Sequence, residues 1–421
     1  MGLFEHYARA SARVDEGSES FAIVACAMST PFVKQYLMTA GPTPLPPAVS
    51  QVMAEPIQYH RAPAFVEVYA RCLERLRLPF ETAGDVLCFA ASGSGAMESA
   101  VANLTRPGEP ALVASCGKFG ERWKELADAY QAATVHHDAG WGQKVEPAEL
   151  DRVLSENPSV DVVFTTLSET STGVVNDVRT LTEVAHGHAA MIVVDAVSGL
   201  GAVPIPQDEW GVDVVVSGSQ KALMCPPGLG FASASEQALE RAANAPGGRY
   251  YFDWAKTAKG QRKDPPDSPF TPAVSIFMAL DVALAMIERE GLDEVFARHA
   301  LLGRATREAT KALELELFGP DDDGANVVTA IRMPEAIDGS KLPRLMRDRY
   351  GVTIAGGQNQ LKGKIARIAH CGYFGAFVIV TTISALEMSL VELGHELDLG
   401  AGVGAAQRVF LEAGVPASAT A

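Results

Sequence analysis

A lysine and an aspartate, 26 residues apart, each stand where an apolar run stops. Lys221 follows the run 213–216 and the small residues Ser217, Gly218 and Ser219; Pro226, Pro227 and Gly228 then stop anything regular. The β-branched run predicts a buried strand. The lysine then lies at the C-terminal edge of a sheet, where open α/β folds place their chemistry. A partly desolvated amine there is a nucleophile towards a carbonyl, although a surface lysine in a loop has the same local pattern. Asp195 ends the buried run 190–194. A carboxylate at such a strand end must be paired or kept for function.

Three more strand exits carry polar or flat groups. Residues 85–90 predict a strand, 91–96 (ASGSGA) a turn and 97–104 a helix. Strand, glycine-rich turn and helix make an anion nest, with free backbone N–H groups aimed at the ligand. The string is neither GxGxxG nor a GK[ST] loop, and a tight turn without a ligand reads the same way. Residues 110–115 predict a strand, 116–120 its exit turn and 121–132 a helix; Phe119 can there cover a flat ligand or join the core. The strand 160–166 ends in the polar run 168–173. His136 and His137 are adjacent on the strand 133–136, so their side chains diverge, and no ligand stands at metal spacing. His186 and His188 close the helix 180–188 and read as terminal caps.

Ser94, Gly95 and Ala96, Ser168, Asp195 and Lys221 thus line one edge, with Phe119 among them. One ligand uses all of these groups. Pyridoxal 5'-phosphate (PLP) brings a phosphate for the nest, an aldehyde for the lysine and a ring nitrogen that wants a carboxylate. The gap between Asp195 and Lys221 is one crossover unit, so both reach one ring.

The elements that must hold this edge alternate β then α, which predicts an α/β fold: a mostly parallel sheet with helices on both faces. A long apolar helix at 274–287 bridges onward. After 292 the pattern changes to a helix 292–317, short strands at 327–333, 352–354, 365–368 and 378–382, and helices at 342–350 and 385–393. That is a smaller α+β domain from about 295, closed by a helix and small-residue tail at 401–421. At the other end, 4–10 reads as a short helix and 21–27 as a strand or helix. The proline-rich segment 37–49 lines a pocket or packs on a partner subunit; Tyr59, His60 and Arg61 precede an amphipathic helix at 64–78.

The chain has 421 residues, 48% of them hydrophobic, which suits a large core and two domains. A net charge of -16 argues against a broad nucleic-acid footprint. Its six cysteines are scattered without a CxxC pair, so no disulfide framework is expected. No apolar stretch reaches membrane-spanning length. The apolar 21–28 is short and follows Asp15, Glu16 and Glu19, unlike a signal peptide, so a cytoplasmic location is expected.

The strings AGPTPLPP, SGSGAMESA, SETSTG, VVDAVSGLG, SGSQKALMCPPG and GGQNQLKGKIARIAHCGY occur in that order. Over roughly residues 37–395 the sequence resembles the class V, fold type I PLP-dependent aminotransferases, in particular the alanine–glyoxylate and serine–pyruvate (or serine–glyoxylate) enzymes. The resemblance implies an extension at 1–36, a PLP-binding large domain at 37–294 and a small domain at 295–421. It makes Lys221 the Schiff-base lysine, Asp195 the partner of the pyridinium and Val197 the residue beneath the ring. Phe119 takes the stacking place and Ser168 the place near the ring hydroxyl. Gly95, Ala96 and Gln220 match phosphate contacts, with Ser94 beside them in the cofactor site, and Thr271 matches one lent by the neighbouring subunit. Arg367 matches the grip on the substrate carboxylate, with Gly41 beside the substrate. A homodimer with shared sites, small amino acid and 2-oxo acid substrates, and transamination from alanine or serine to glyoxylate or pyruvate follow from it. A PLP-dependent lyase or cysteine desulfurase is the alternative; Cys225 and Cys371 stand four residues past Lys221 and Arg367, neither in an obviously mobile loop. Two positions depart from the pattern. Ala96 offers only its backbone, and Ser268 stands where some relatives carry a tyrosine.

Overall fold

Alternate residues along a strand point to opposite faces, and here both faces are covered. In the computed structural model, which describes residues 34–245, 248–322 and 324–414, the main sheet has seven strands. Across it they run Val86–Phe89, Gly230–Ala234, Val214–Gly218, Met191–Asp195, Val162–Thr166, Pro110–Ser115 and Ala133–Asp138. Ile192, Val194, Val215 and Phe231 enter one core; Val193, Val214, Val216 and Ala232 enter the core on the other face. The three central strands are therefore buried at every residue and read as unbroken apolar runs. The segments expected at 4–10 and 21–27, and the tail beyond 414, lie outside the described residues.

Gly230–Ala234 was not expected. It pairs antiparallel with both neighbours, Val86–Phe89 and Val214–Gly218, in an otherwise parallel sheet. Its GFASA sequence carries no β-branched residue, so propensity does not mark it; full burial between two strands makes it a strand. Running the other way, it starts where its neighbours end. A Cβ on Gly230 would lie 2.9 Å from the Ser92 carbonyl oxygen, so glycine lets a helix begin directly over the sheet edge.

Two expected turns are shorter than their sequences imply. The helix Gly93–Leu104 already includes the glycines read as a turn, and the helix Lys118–Ala129 already includes Phe119. A second correction concerns 378–382, expected as a strand but lying within the helix Ala376–Glu392. Its buried positions, Ile379, Thr382, Ile383, Leu386 and Leu390, recur at helical spacing. The Thr381 and Thr382 hydroxyls donate to carbonyls four residues back, so both side chains satisfy themselves within the helix.

The helices Leu292–Ala312, Leu342–Tyr350, Ala376–Glu392 and Ala401–Glu412 pack with the strands Val328–Arg332 and Ile365–Ala369 in a further core. The proline-rich segment joins that core to the main sheet. Tyr36–Leu37 pairs parallel with Val352–Thr353, and Met38 is fully buried among residues such as Ile368 and Leu386. Five residues on, the Thr43 hydroxyl donates to the Lys221 carbonyl at 2.9 Å. Within the chain this segment lies against Lys221. Met38→Ala should cost about 2–5 kcal/mol, the usual loss for a buried methionine. Urea unfolding of the variant would read it; an unchanged midpoint would show that this strap is not part of the core.

Candidate active site

Five strands of the main sheet deliver their exits to one edge. Asp195 is the last residue of its strand and only 4% exposed. Its Oδ1 accepts the Val197 N–H at 2.8 Å. Burial pushes this carboxyl up to about 7; Glu169 adds to the effect, while the Val197 bond, Lys221 and Arg122 oppose it. On the adjoining strand exit, Lys221 is 7% exposed and donates its amine to the Ala40 carbonyl. Burial lowers its pKa, so the neutral, nucleophilic amine is more available than on a solvated lysine. Gly41 makes this approach possible: its φ of +108° suits glycine, and a Cβ there would collide with the Lys221 side chain.

Arg367 comes from the other core, in the middle of Ile365–Ala369. It is 8% exposed, with Nε donating to the Gly356 carbonyl at 3.0 Å and Nη1 to the Thr170 carbonyl at 2.8 Å. None of the described carboxylates lies in ion-pair range of it. A buried cation without a counter-ion costs several kcal/mol, and an anionic ligand relieves that cost. Three guanidinium N–H groups remain for such a ligand.

The phosphate-type nest is the start of the helix Gly93–Leu104. Its N-cap, Ser92, makes no side-chain cap, and the first amide used is that of Ala96, bonded to the Ser92 carbonyl at 3.1 Å. The Gly93, Ser94 and Gly95 amides meet no acceptor among the described residues, which leaves the positive end of the helix open to an anion. Gly93 has no room for a side chain, since a Cβ would lie 2.7 Å from Val197. Gln220 lies beside the same turn with its Oε1 enclosed and unpartnered. Ala96 is fully buried, so its backbone alone is available.

Phe119 is held by its amide, which donates to Glu169 Oε2 at 3.0 Å. Ser168 is buried directly after the Val162–Thr166 strand, next to Leu167, whose amide donates to the Asp195 carbonyl at 2.9 Å. Thr271 is the exception: it is exposed and lines a separate small cavity with Tyr251, Ser268 and Phe270 rather than the Lys221 cluster. As expected, His188 is the C-cap of the helix Val178–Gly187 and His186 lies in its last turn; their rings also pair with Asp151 and Asp213, at 2.8 and 2.9 Å.

Sequence reasoning missed four residues here. Glu169, fully buried, accepts the amides of Phe119, Gly120 and Ser171 and the Ser171 hydroxyl, the last at 2.6 Å. Burial raises its pKa while these bonds hold it down. Thr170 and Ser198 share a hydroxyl bond of 3.1 Å, and Arg122 reaches Ser94. The string SETSTG contained two of them, but nothing in it separates a structural carboxylate from a working one. Taken together, the residues present fit PLP: an open helix start for the phosphate, a buried carboxyl for the ring nitrogen, a buried amine for the aldehyde and an unpaired guanidinium for a carboxylate.

A family model described as Aminotransferase class-V matches residues 35–369. The soluble hydrogenase small subunit of Synechococcus sp. is 42% identical over 90% of this chain and 98% of its own. The serine–glyoxylate aminotransferase of Methylorubrum extorquens is 34% identical over 90% of this chain and 96% of its own. Among solved structures, the ureidoglycine–glyoxylate aminotransferase of Bacillus subtilis superposes with a TM-score of 0.84 at 27% identity, covering 90% of this chain and 98% of that one.

The raised Asp195 pKa makes a prediction for the cofactor-free protein. The folded state holds this proton more tightly than the unfolded state, so the contribution is complete below the ordinary carboxylate range and lost as pH rises through about 7. Asp195→Asn cannot titrate. Wild-type melting temperature should therefore fall relative to the variant between about pH 4 and 7. A difference that does not change with pH would overturn the assignment.

Proposed function

The chain belongs to the class-V aminotransferases, and from that membership we propose that it moves the amino group of alanine or serine to glyoxylate or pyruvate. As a PLP-dependent enzyme it has a cofactor that, when bound, supplies an aldehyde and an electron sink. The observation that carries the substrate reading is Arg367, a buried guanidinium with no counter-ion among the described residues and three N–H groups to give. It holds the α-carboxylate of amino acid and 2-oxo acid in turn. Lys221 acts as the nucleophile and carries the proton at the substrate α-carbon. Asp195 would hold a proton on the ring nitrogen, Phe119 and Val197 would hold the ring, and the Gly93 helix start with Gln220 would hold the phosphate. Small substrates are favoured because Arg122, a further arginine at this edge, turns towards Ser94 and the start of the Gly93 helix. The glyoxylate in the names of several relatives supports the acceptor.

Thr271, exposed in its own chain, then serves the phosphate of a second copy, which makes the enzyme a homodimer. The desulfurase alternative needs a reactive thiolate near substrate. Cys225 and Cys371 are both buried, and burial pushes Cys371 up to about 11. The hydrogenase name of some relatives matches no feature of the Lys221, Asp195 and Arg367 arrangement.

The test is a panel of half-reactions. PLP-loaded protein is mixed with single amino acids, and the cofactor absorbance is followed. Conversion by alanine or serine, reversed by glyoxylate or pyruvate, supports the proposal. Persulfide from cysteine, ammonia from serine without amino transfer, or hydrogen-dependent dye reduction in its place would each overturn it. Lys221→Ala should abolish turnover, and Asp195→Asn should slow it by roughly 10²-fold or more, as for other preorganised electrostatic contacts. A near-normal rate in either variant removes that residue from its role.

A further inference from the structure

Arg122 sits at the end of a helix where a cation is least welcome. Helix N-termini favour anions and C-termini favour cations. Yet Arg122 reaches from the helix Lys118–Ala129 to the first turn of Gly93–Leu104, where its Nη1 donates to Ser94 Oγ at 2.9 Å. Its guanidinium carbon lies 5.0 Å from the centre of the Phe119 ring, and its charge is felt at Asp195. No described carboxylate forms an ion pair with it. A guanidinium, a positive helix end and three open amides thus converge with no protein anion among them. The bond to Ser94 has a further effect. It occupies a lone pair of that hydroxyl, so the Ser94 proton is left to donate elsewhere.

We propose that Arg122 is the countercharge for the cofactor's phosphate and sets Ser94 as one of its donors, besides cradling Phe119. This rests on the cofactor seat proposed above. Like charges gathered at one point are an arrangement that a dianion stabilises and that nothing else at the site explains. The proposal adds a fixed positive charge to a seat otherwise made of backbone amides and neutral side chains.

Pyridoxal, which lacks the phosphate, separates this role from a merely structural one. Cofactor-free wild type, Arg122→Gln and Arg122→Lys would be titrated with PLP and with pyridoxal. Arg122→Gln should weaken PLP by about 10-fold or more, the scale of one charge-assisted hydrogen bond. Arg122→Lys should lose less, and pyridoxal affinity should hold within about two-fold in all three. The phosphorus resonance of bound PLP should stay flat with pH in wild type and titrate in Arg122→Gln near the phosphate's own pKa of about 6. PLP binding by Arg122→Gln at wild-type strength, or equal losses for PLP and pyridoxal, would overturn the proposal. If Arg122→Gln does not fold, Ser94→Ala decides with the arginine in place. A PLP-specific loss supports the relay, and no loss overturns it. A wild type that takes up pyridoxal but not PLP would overturn this inference alone, whereas one that takes up neither would remove the seat on which it rests.

Discussion

Three ionisable groups, Asp195, Lys221 and Arg367, are withdrawn from water in one seam without being paired to one another. Each is less than 9% exposed. Burying such charges is costly unless hydrogen bonds or a partner compensate. The fold compensates only in part. Burial pushes the Asp195 carboxyl up to about 7 and lowers the Lys221 pKa, and Arg367 is supported by two carbonyls. The shortfall is what a ligand carrying an anion, a cationic ring and an aldehyde makes good. Natural proteins commonly break the rules of polar satisfaction at working sites, and the surrounding structure must then be strong enough to hold them.

That support comes from both cores. The main sheet delivers Asp195 at the end of Met191–Asp195 and Lys221 three residues past the end of its neighbour Val214–Gly218. The other core supplies Arg367 and reaches back to the lysine through Gly372. The Gly372 carbonyl accepts from Arg298 at 2.9 Å, and its amide donates to His299 Nε2 at 2.9 Å. Burial holds the His299 pKa well below its ordinary value, which keeps that ring nitrogen an acceptor. A Cβ on Gly372 would lie 3.1 Å from the Lys221 carbonyl oxygen, so this clamp bears directly on the lysine's backbone.

Much of this was legible in the sequence, for physical reasons that differ by element. Runs such as MIVVD announce themselves because both faces are buried and every residue must be apolar. GFASA does not, because its place depends on two neighbours of distant sequence. FVIVTT misled because β-branching costs only tenths of a kcal/mol in a helix, less than a buried face returns. Lys221, Asp195 and Arg367 stood out from strand ends and from the resemblance together. Glu169 and Arg122 stayed hidden, since their meaning lies in which helix start each one meets.

The antiparallel strand also governs the order in which the molecule can assemble. Val86–Phe89 is made early but is joined to the sheet only through Gly230–Ala234. As the chain leaves the ribosome, the phosphate-type helix start therefore has no settled position until residue 234 has emerged. The strap at Tyr36–Leu37 waits longer still, for Val352–Thr353. Contacts of such sequence separation form late because the loop must close before they return anything. The seam that gathers the buried charges is thus among the last parts of the chain to form, and partly folded chains are spared the cost of desolvating them.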